Sequence, residues 1–388
     1  MEPQDTLIQL LDADGVRRSG VPEEFAAYAA ELDGEKLRQF YRDMAVVRRF
    51  DQESTALQRQ GELALWVPVR GQEAAQVGAV HASRPQDYFF PTYREHAIAL
   101  ARGVTPEELL RQFRGVSHGG WDPSVSRFHL YTLVLAAQTL HAVGYAMGVA
   151  RDQGTVPEDP ATAETVMAFF GDGASSEGDV HESMVFAASF NAPVVFFCQN
   201  NQWAISVPFE VQSKVPLATR AAGYGFPGLR VDGNDVLAVY AVTRWAQDRA
   251  RRGEGPALIE AVTYRLGAHT TADDPTKYRG SDEEALWQSR DPMTRLKTLL
   301  DNEGLADQAF FDAVDAEAAE MAALVRQVVH IEDAPDLRTS FAHVYAQAHP
   351  LVAEELAFLE SYEAGFADDD AASDAGAEAT AAVSGGAR

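Results

Sequence analysis

The sequence predicts an α/β fold in which a parallel sheet is flanked by helices. Val166-Met167-Ala168-Phe169-Phe170 and Val194-Val195-Phe196-Phe197-Cys198 are short, unbroken apolar runs, as expected of strands buried on both faces. One helix's worth of chain separates them. Residues 35–60 carry Leu37, Phe40, Tyr41, Met44, Val47 and Phe50 on one face at helical spacing. Taken in order, residues 1–33 read as an extended arm followed by a short helix. Helices follow at 35–60 and 138–150. After the two strands, Asn234-Asp235 opens a helix to about residue 252, ended by Gly253-Glu254-Gly255-Pro256. Leu258-Ile259-Glu260-Ala261-Val262 is a third strand, and helices are expected at 283–300, 307–330 and 340–348. The domain reading is an arm at 1–33, one α/β domain with a helical C-terminal part at 34–366, and a tail at 367–388. That tail is Ala, Asp, Gly and Ser with scarcely any large apolar residue, a composition that favours disorder.

Chemistry concentrates where the strands end. GDGASSEGD opens at Gly171, and the Asn200-Asn201 pair lies just past the second strand, 29 positions after Asp172. Gly171 and Gly173 allow a sharp turn and a close approach of backbone to ligand. Ser175 or Ser176 can cap the next helix, with Glu177 and Asp179 in its first turn, and the free amides there attract anions. An acid on one rim loop and a neutral oxygen on the next suit Mg²⁺ held against a diphosphate, because hard cations take oxygen ligands and Mg²⁺ uses few carboxylates. The C-terminal rim of an open sheet is where ligands bind. Taken singly, each residue has a plainer reading. A GDG is an ordinary turn, Arg94 could be a surface ion pair, Trp203 could simply pack, and a single histidine among ten is usually structural. His129 and His141 are read that way.

The whole constellation resembles the alpha subunit of the decarboxylating component of 2-oxo acid dehydrogenase complexes, from about residue 37 to about residue 279. The resemblance rests on VRGQEAAQVG (from Val69), DYFFPTYREHAIALARG (from Asp87), GDGASSEGDVHESMVFAASF, FFCQNNQWAIS, RVDGNDVLAVY (from Arg230) and PALIEAVTYRLGAHTTADDPTKYR (from Pro256). SEGD, FFC and AIS are closer to the branched-chain type than to the pyruvate type. It implies the thiamine-diphosphate-binding fold, with Asp172 and Asn201 giving side-chain oxygens, and Trp203 its backbone carbonyl, to Mg²⁺. The family usually has Tyr at position 203. Tyr93 and Arg94 would contact the diphosphate, and Gly171, Gly173, Ala174 and Ser175 would line it. His269 matches the loop histidine that reaches the thiazolium and the incoming lipoyl group. The cofactor acts as an electron sink for decarboxylation. The carboxylate that activates it would come from a beta subunit in an α₂β₂ heterotetramer serving a lipoyl-bearing acyltransferase. The chain alone is therefore expected to be inactive. An acetoin dehydrogenase alpha subunit, or another heteromeric thiamine enzyme, is the alternative.

Departures from the family text carry their own expectations. Of the segment that holds K⁺ in branched-chain enzymes, Thr132 and Gln138 remain, but Ala137 replaces a usual threonine, which argues against a dedicated K⁺ site. The 119–129 loop is unlike the family's, so no substrate-side residue transfers there. Thr270 stands where mitochondrial relatives are phosphorylated and Gly280 replaces the second site, so no dedicated kinase control is expected. Trp66 and Val67 would lie near the substrate pocket by resemblance, and their apolar character favours a branched 2-oxo acid by a small margin, with pyruvate, acetoin and 2-oxobutyrate left open.

Composition narrows the remaining possibilities. The 388 residues carry a net charge of −26, which disfavours nucleic acid and anionic membranes as partners. Lysine occurs only at Lys36, Lys214, Lys277 and Lys297, and this acid-rich, lysine-poor composition is similar to that of proteins from salt-accumulating halophiles. No apolar run reaches membrane-spanning length. The N-terminus lacks the basic-then-apolar order of a signal peptide, and the single Cys198 sits in a buried strand. A cytoplasmic protein is the plain expectation.

Overall fold

The computed structural model describes residues 7–116, 119–330, 336 and 338–366. Its contacts divide the chain into two units, residues 1–331 and 332–388. The first unit is built on five parallel strands: β1 (Tyr88–Phe90), β2 (Val166–Gly171), β3 (Val194–Asn200), β4 (Gly228–Asp232) and β5 (Ala257–Val262). Their spatial order is β1-β2-β3-β5-β4. Side chains on the inner strands alternate between two cores. Met167, Phe169, Val195, Phe197 and Ile259 enter one, while Val166, Ala168, Phe170, Val194, Phe196 and Leu258 enter the other. Helices cover both faces, so both phases of the two-residue period must be apolar. This explains the unbroken runs.

The helices of this unit include α1 (Gly34–Arg59), α2 (Glu73–Ala82), α3 (His96–Ala101), α4 (Pro106–Arg114), α5 (Ala137–Gln153), α6 (Gly178–Ser189), α7 (Val236–Arg251), α8 (Ser281–Gln288), α9 (Pro292–Asn302) and α10 (Gln308–Val328). On one side of the sheet α7 packs on α2, and α1 packs on α2 and α10; on the other, α5 packs on α6. Local chemistry sets their ends. Asp33 accepts the Lys36 amide to start α1, and Asp235 accepts the Ala238 amide to start α7. Thr105 and Glu108 form a reciprocal capping box at α4, which Gly115 closes in the left-handed conformation. In the second unit, a short turn of helix (Thr339–Ala342) precedes α11 (Pro350–Ala364).

Three local expectations are corrected. The single helix expected at 283–300 is two, because Asp291 accepts the Met293 and Thr294 amides while Pro292 has no N–H with which to continue α8. The helix expected at 340–348 is confined to Thr339–Ala342, and the next begins at Pro350 with the His349 side chain as cap. Neither Ser175 nor Ser176 caps α6. Residues Gly173–Ser176 form a 3₁₀ turn, and Glu177 occupies the capping position without a side-chain bond, leaving Asp179 in the first turn. The N-terminal arm follows the sheet edge. Ile8 pairs in parallel with Val231, and Asp235 Oδ2 accepts the Leu10 and Leu11 amides at 2.6 Å each. That pairing covers the edge strand β4, which would otherwise present unpaired backbone groups. The tail expected at 367–388 lies outside the described residues. Among them, no helix is long and apolar enough to cross a membrane.

Candidate active site

A cavity of about 340 Å³ opens at the C-terminal rim of β2 and β3. Nine of the ten residues expected at the cofactor line it: Tyr93, Arg94, Gly171, Asp172, Gly173, Ala174, Asn201, Trp203 and His269. Ser175 does not; its hydroxyl is buried behind the turn. Neither Gly171 nor Gly173 adopts a positive φ, so the turn itself does not demand glycine. Gly173 is needed for a different reason: a Cβ there would meet the Ala204 side chain at 2.8 Å. Gly171 faces open space.

Asp172 is buried at the end of β2. Its Oδ1 accepts the Asn201 amide at 3.3 Å and its Oδ2 accepts from Gln212 Nε2 at 3.1 Å. Burial pushes its carboxyl up to about 6, against the lowering effect of the Gln212 hydrogen bond. Asn201 Oδ1 accepts the Trp203 amide at 3.3 Å, and the Trp203 carbonyl accepts from Arg265 Nη1 at 2.9 Å. One carboxylate, one amide oxygen and one carbonyl therefore share a rim. Among the described residues, no three His, Cys, Asp or Glu side chains gather as a metal centre. A cation here would rest on this sparse oxygen set plus ligand oxygens, as Mg²⁺ on a diphosphate does.

The positive side of the cavity is Arg94. It is buried, and donates to the Pro68 carbonyl and to the His269 carbonyl, the latter at 2.9 Å. Arg94 Nη2 also lies 3.4 Å from His269 Nδ1. Burial first, then Arg94 and Arg265, push the His269 imidazole down to about 3. His269 is thus neutral at physiological pH, and the neighbouring arginine N–H assigns the lone pair to Nδ1 and the proton to Nε2. Because its folded value lies below the ordinary 6.5, the unfolded chain binds the proton first. His269 therefore subtracts stability as pH falls from about 6.5 toward 3. In a ¹⁵N-edited NMR titration its ring should stay neutral from pH 8 to pH 5, and Arg94→Met should move the titration upward. An imidazole titrating near 6.5 in the unaltered protein would contradict this electrostatic reading.

Loop 267–279 holds His269 from several sides. Asp273 accepts the His269 amide at 2.8 Å and also the Tyr278 hydroxyl. Thr271 and Trp66 exchange two bonds, Thr271 N to Trp66 O and Trp66 N to Thr271 Oγ1, each 2.9 Å. Trp66 and Val67 are buried and do not line the cavity, contrary to expectation. Trp66 instead stacks on His96 at 4.5 Å and donates its indole N–H to Asp51 at 2.8 Å. The apolar wall comes from Leu133, Leu135, Ile205 and Trp203. Thr132 and Gln138 line the same cavity; Gln138 Nε2 donates to the Phe169 carbonyl, leaving Oε1 without a partner. His129 packs on Phe90 at 4.8 Å, as expected of a structural histidine.

Several groups in and behind the cavity wall were not legible in the sequence. Glu95 is buried beneath Arg94 and accepts Thr92 N, Thr92 Oγ1 and Gln199 Nε2. Gln76 ties the Arg94 carbonyl to Gln199. Gln72 bonds to Asn201. Glu95 and Gln199 each adjoin a recognised motif residue, the only local signal they carry.

Residues 41–335 match the protein family described as Dehydrogenase E1 component. The chain is 48% identical, over 346 residues, to the 3-methyl-2-oxobutanoate dehydrogenase subunit alpha of Mycobacterium tuberculosis, covering 88% of this chain and 90% of that protein. It is 38% identical, over 303 residues, to the pyruvate dehydrogenase E1 component subunit alpha of Staphylococcus aureus, covering 77% and 78%. A protein of the same description from Acholeplasma laidlawii is 37% identical over 328 residues, covering 84% and 93%.

Proposed function

The chain belongs to the dehydrogenase E1 component family, and from that premise we propose that it is the alpha subunit of a thiamine-dependent 2-oxo acid dehydrogenase, acting on a branched-chain 2-oxo acid. It takes part in oxidative decarboxylation with transfer of the acyl group to a lipoyl-bearing acyltransferase, and it works with a beta subunit. The observation that carries this reading is the convergence of nine residues from distant segments on one sheet-rim cavity.

The residues fit the cofactor chemically. Asp172, Asn201 and the Trp203 carbonyl would hold Mg²⁺, Tyr93 and Arg94 would bind the diphosphate, and the amides of Gly173 and Ala174 would line it. Bound there, thiamine diphosphate supplies the electron sink for the charge left when carbon dioxide departs. Arg94 serves as a fixed planar donor whose other N–H groups already grip the Pro68 and His269 carbonyls, so little reorganisation is needed when an anion arrives. His269, neutral with its proton on Nε2, can deliver or recover that proton near the acyl group without placing a second cation beside Arg94.

The apolar wall of Leu133, Leu135 and Ile205 supports a branched side chain over a methyl group. Assayed with its beta subunit, the enzyme should favour 3-methyl-2-oxobutanoate over pyruvate by about 10- to 200-fold in kcat/KM, the range for such apolar discrimination. His269→Ala should lower acyl transfer by about 10²–10⁴-fold, the usual contribution of a positioned acid–base group. The chain by itself should show no turnover. Equal rates on both substrates would refute the substrate assignment, and brisk turnover by the lone chain would refute the subunit assignment.

A further inference from the structure

Gln72 is buried, with about 1% of its surface exposed, and lines the cavity beside Asp172 and Asn201. Hydrogen bonding settles which way its carboxamide faces. The Trp203 amide donates to Asn201 Oδ1, so the other end of the Asn201 side chain is its nitrogen. That nitrogen donates to Gln72 at 3.3 Å, so the Gln72 atom receiving it must be Oε1. Gln72 Nε2 is therefore the remaining end. It is buried and has no hydrogen-bond partner.

The backbone leaves Gln72 little freedom. Gly71 sits at φ +94°, and a Cβ there would stand 2.1 Å from the Tyr264 carbonyl, so the chain passes this point only as glycine. Glu73 accepts the Gly71 amide at 2.8 Å and is paired with Arg48. Thr263 Oγ1 donates to the Gly71 carbonyl. A rigid mount thus presents a desolvated N–H₂ donor with no acceptor. A buried unmet donor costs about 1–3 kcal/mol, and proteins retain such groups where a ligand supplies the acceptor.

We propose that Gln72 is a cofactor-binding residue of this site. Its Nε2 donates to an anionic oxygen of the diphosphate, while its Oε1 holds the Asn201 carboxamide in the orientation that reserves Oδ1 for the cation. One side chain thereby ties anion recognition to cation ligation. The inference rests on the reading of the cavity as the Mg²⁺–thiamine diphosphate site.

Calorimetric titration of the chain, co-purified with its beta subunit, with thiamine diphosphate in saturating Mg²⁺ tests both. Gln72→Glu keeps an acceptor facing Asn201 but replaces the donor with a carboxylate oxygen. Gln72→Met removes both groups at similar volume. Each should weaken binding at least tenfold, about 1.4 kcal/mol. The cofactor-free melting temperature of Gln72→Met should not fall, because removing the unmet buried donor offsets the bond lost from Asn201; a purely structural residue would lower it. Should Gln72→Glu fail to assemble, Gln72→Met decides the matter by itself. Tight binding by the unaltered protein with variants within twofold of it overturns this role while leaving the functional reading intact. Absence of binding by the unaltered protein overturns the functional reading, and the Gln72 role with it.

Discussion

Asp172→Asn should lower affinity for thiamine diphosphate in Mg²⁺ by more than about 100-fold, while the cofactor-free protein melts at the same temperature or higher. The first half follows from ligand chemistry. Asp172 is the only carboxylate in the proposed cation set, and loss even of outer partners of a bound metal typically costs 10–100-fold. The second half follows from electrostatics. Burial raises the Asp172 carboxyl to about 6, so the folded state binds its proton more tightly than the unfolded chain does. Its contribution to stability is therefore greatest at low pH and is lost as pH rises toward 6. At pH 7.5 the ionised group is a net burden on the empty protein. Asparagine keeps the shape and carries no buried charge, and its single oxygen retains one of the two accepted bonds, from the Asn201 amide or from Gln212. Such opposed effects identify a residue kept for its ligand rather than for folding. Titration calorimetry paired with thermal melts measures both, and a variant that binds normally would remove Asp172 from the cation set.

The largest loss of stability should come from Trp66→Ala. Trp66 is fully buried between His96 and Phe113, with ring centroids 4.5 and 4.8 Å away, and Phe50 meets it edge-on at 5.3 Å. Truncating a buried tryptophan to alanine costs about 3–5 kcal/mol. Asp51, which also accepts the Val69 and Arg70 amides, loses its indole donor at the same time. A melting-temperature decrease of roughly 4–7 °C is expected for a unit of this size. Function should suffer as well, because the Trp66 backbone is the anchor for Thr271, two residues from His269. Limited proteolysis should then cut the 267–279 loop faster than in the unaltered protein. A melting change of only a degree or two would show that the aromatic cluster carries little of the fold.

Trp66 also marks a limit of sequence reading. Its neighbourhood in the motif order placed it at the substrate pocket, but the structure puts it one layer behind, gripping the loop from the core side. An apolar residue before a recognised motif reads the same whether it faces a ligand or a helix. Only the approach of Thr271, 205 positions away, distinguishes the two.

What the sequence determined by itself was whatever is written in local order. Unbroken apolar runs require strands covered on both faces, hence a parallel layered sheet. The acid after β2 and the amide after β3 follow, since the ends of neighbouring parallel strands come out on the same rim. The helix start at Asp235 was of the same kind, a short polar side chain satisfying the amide three residues on. Tertiary structure alone decided which groups close around that rim. Gln72 meets Asn201 across 129 positions, and Glu95 meets Gln199 across 104. No periodicity encodes such meetings. They arise when chain segments fold over one another and buried polar atoms must find partners, or are left without one, as Gln72 Nε2 is.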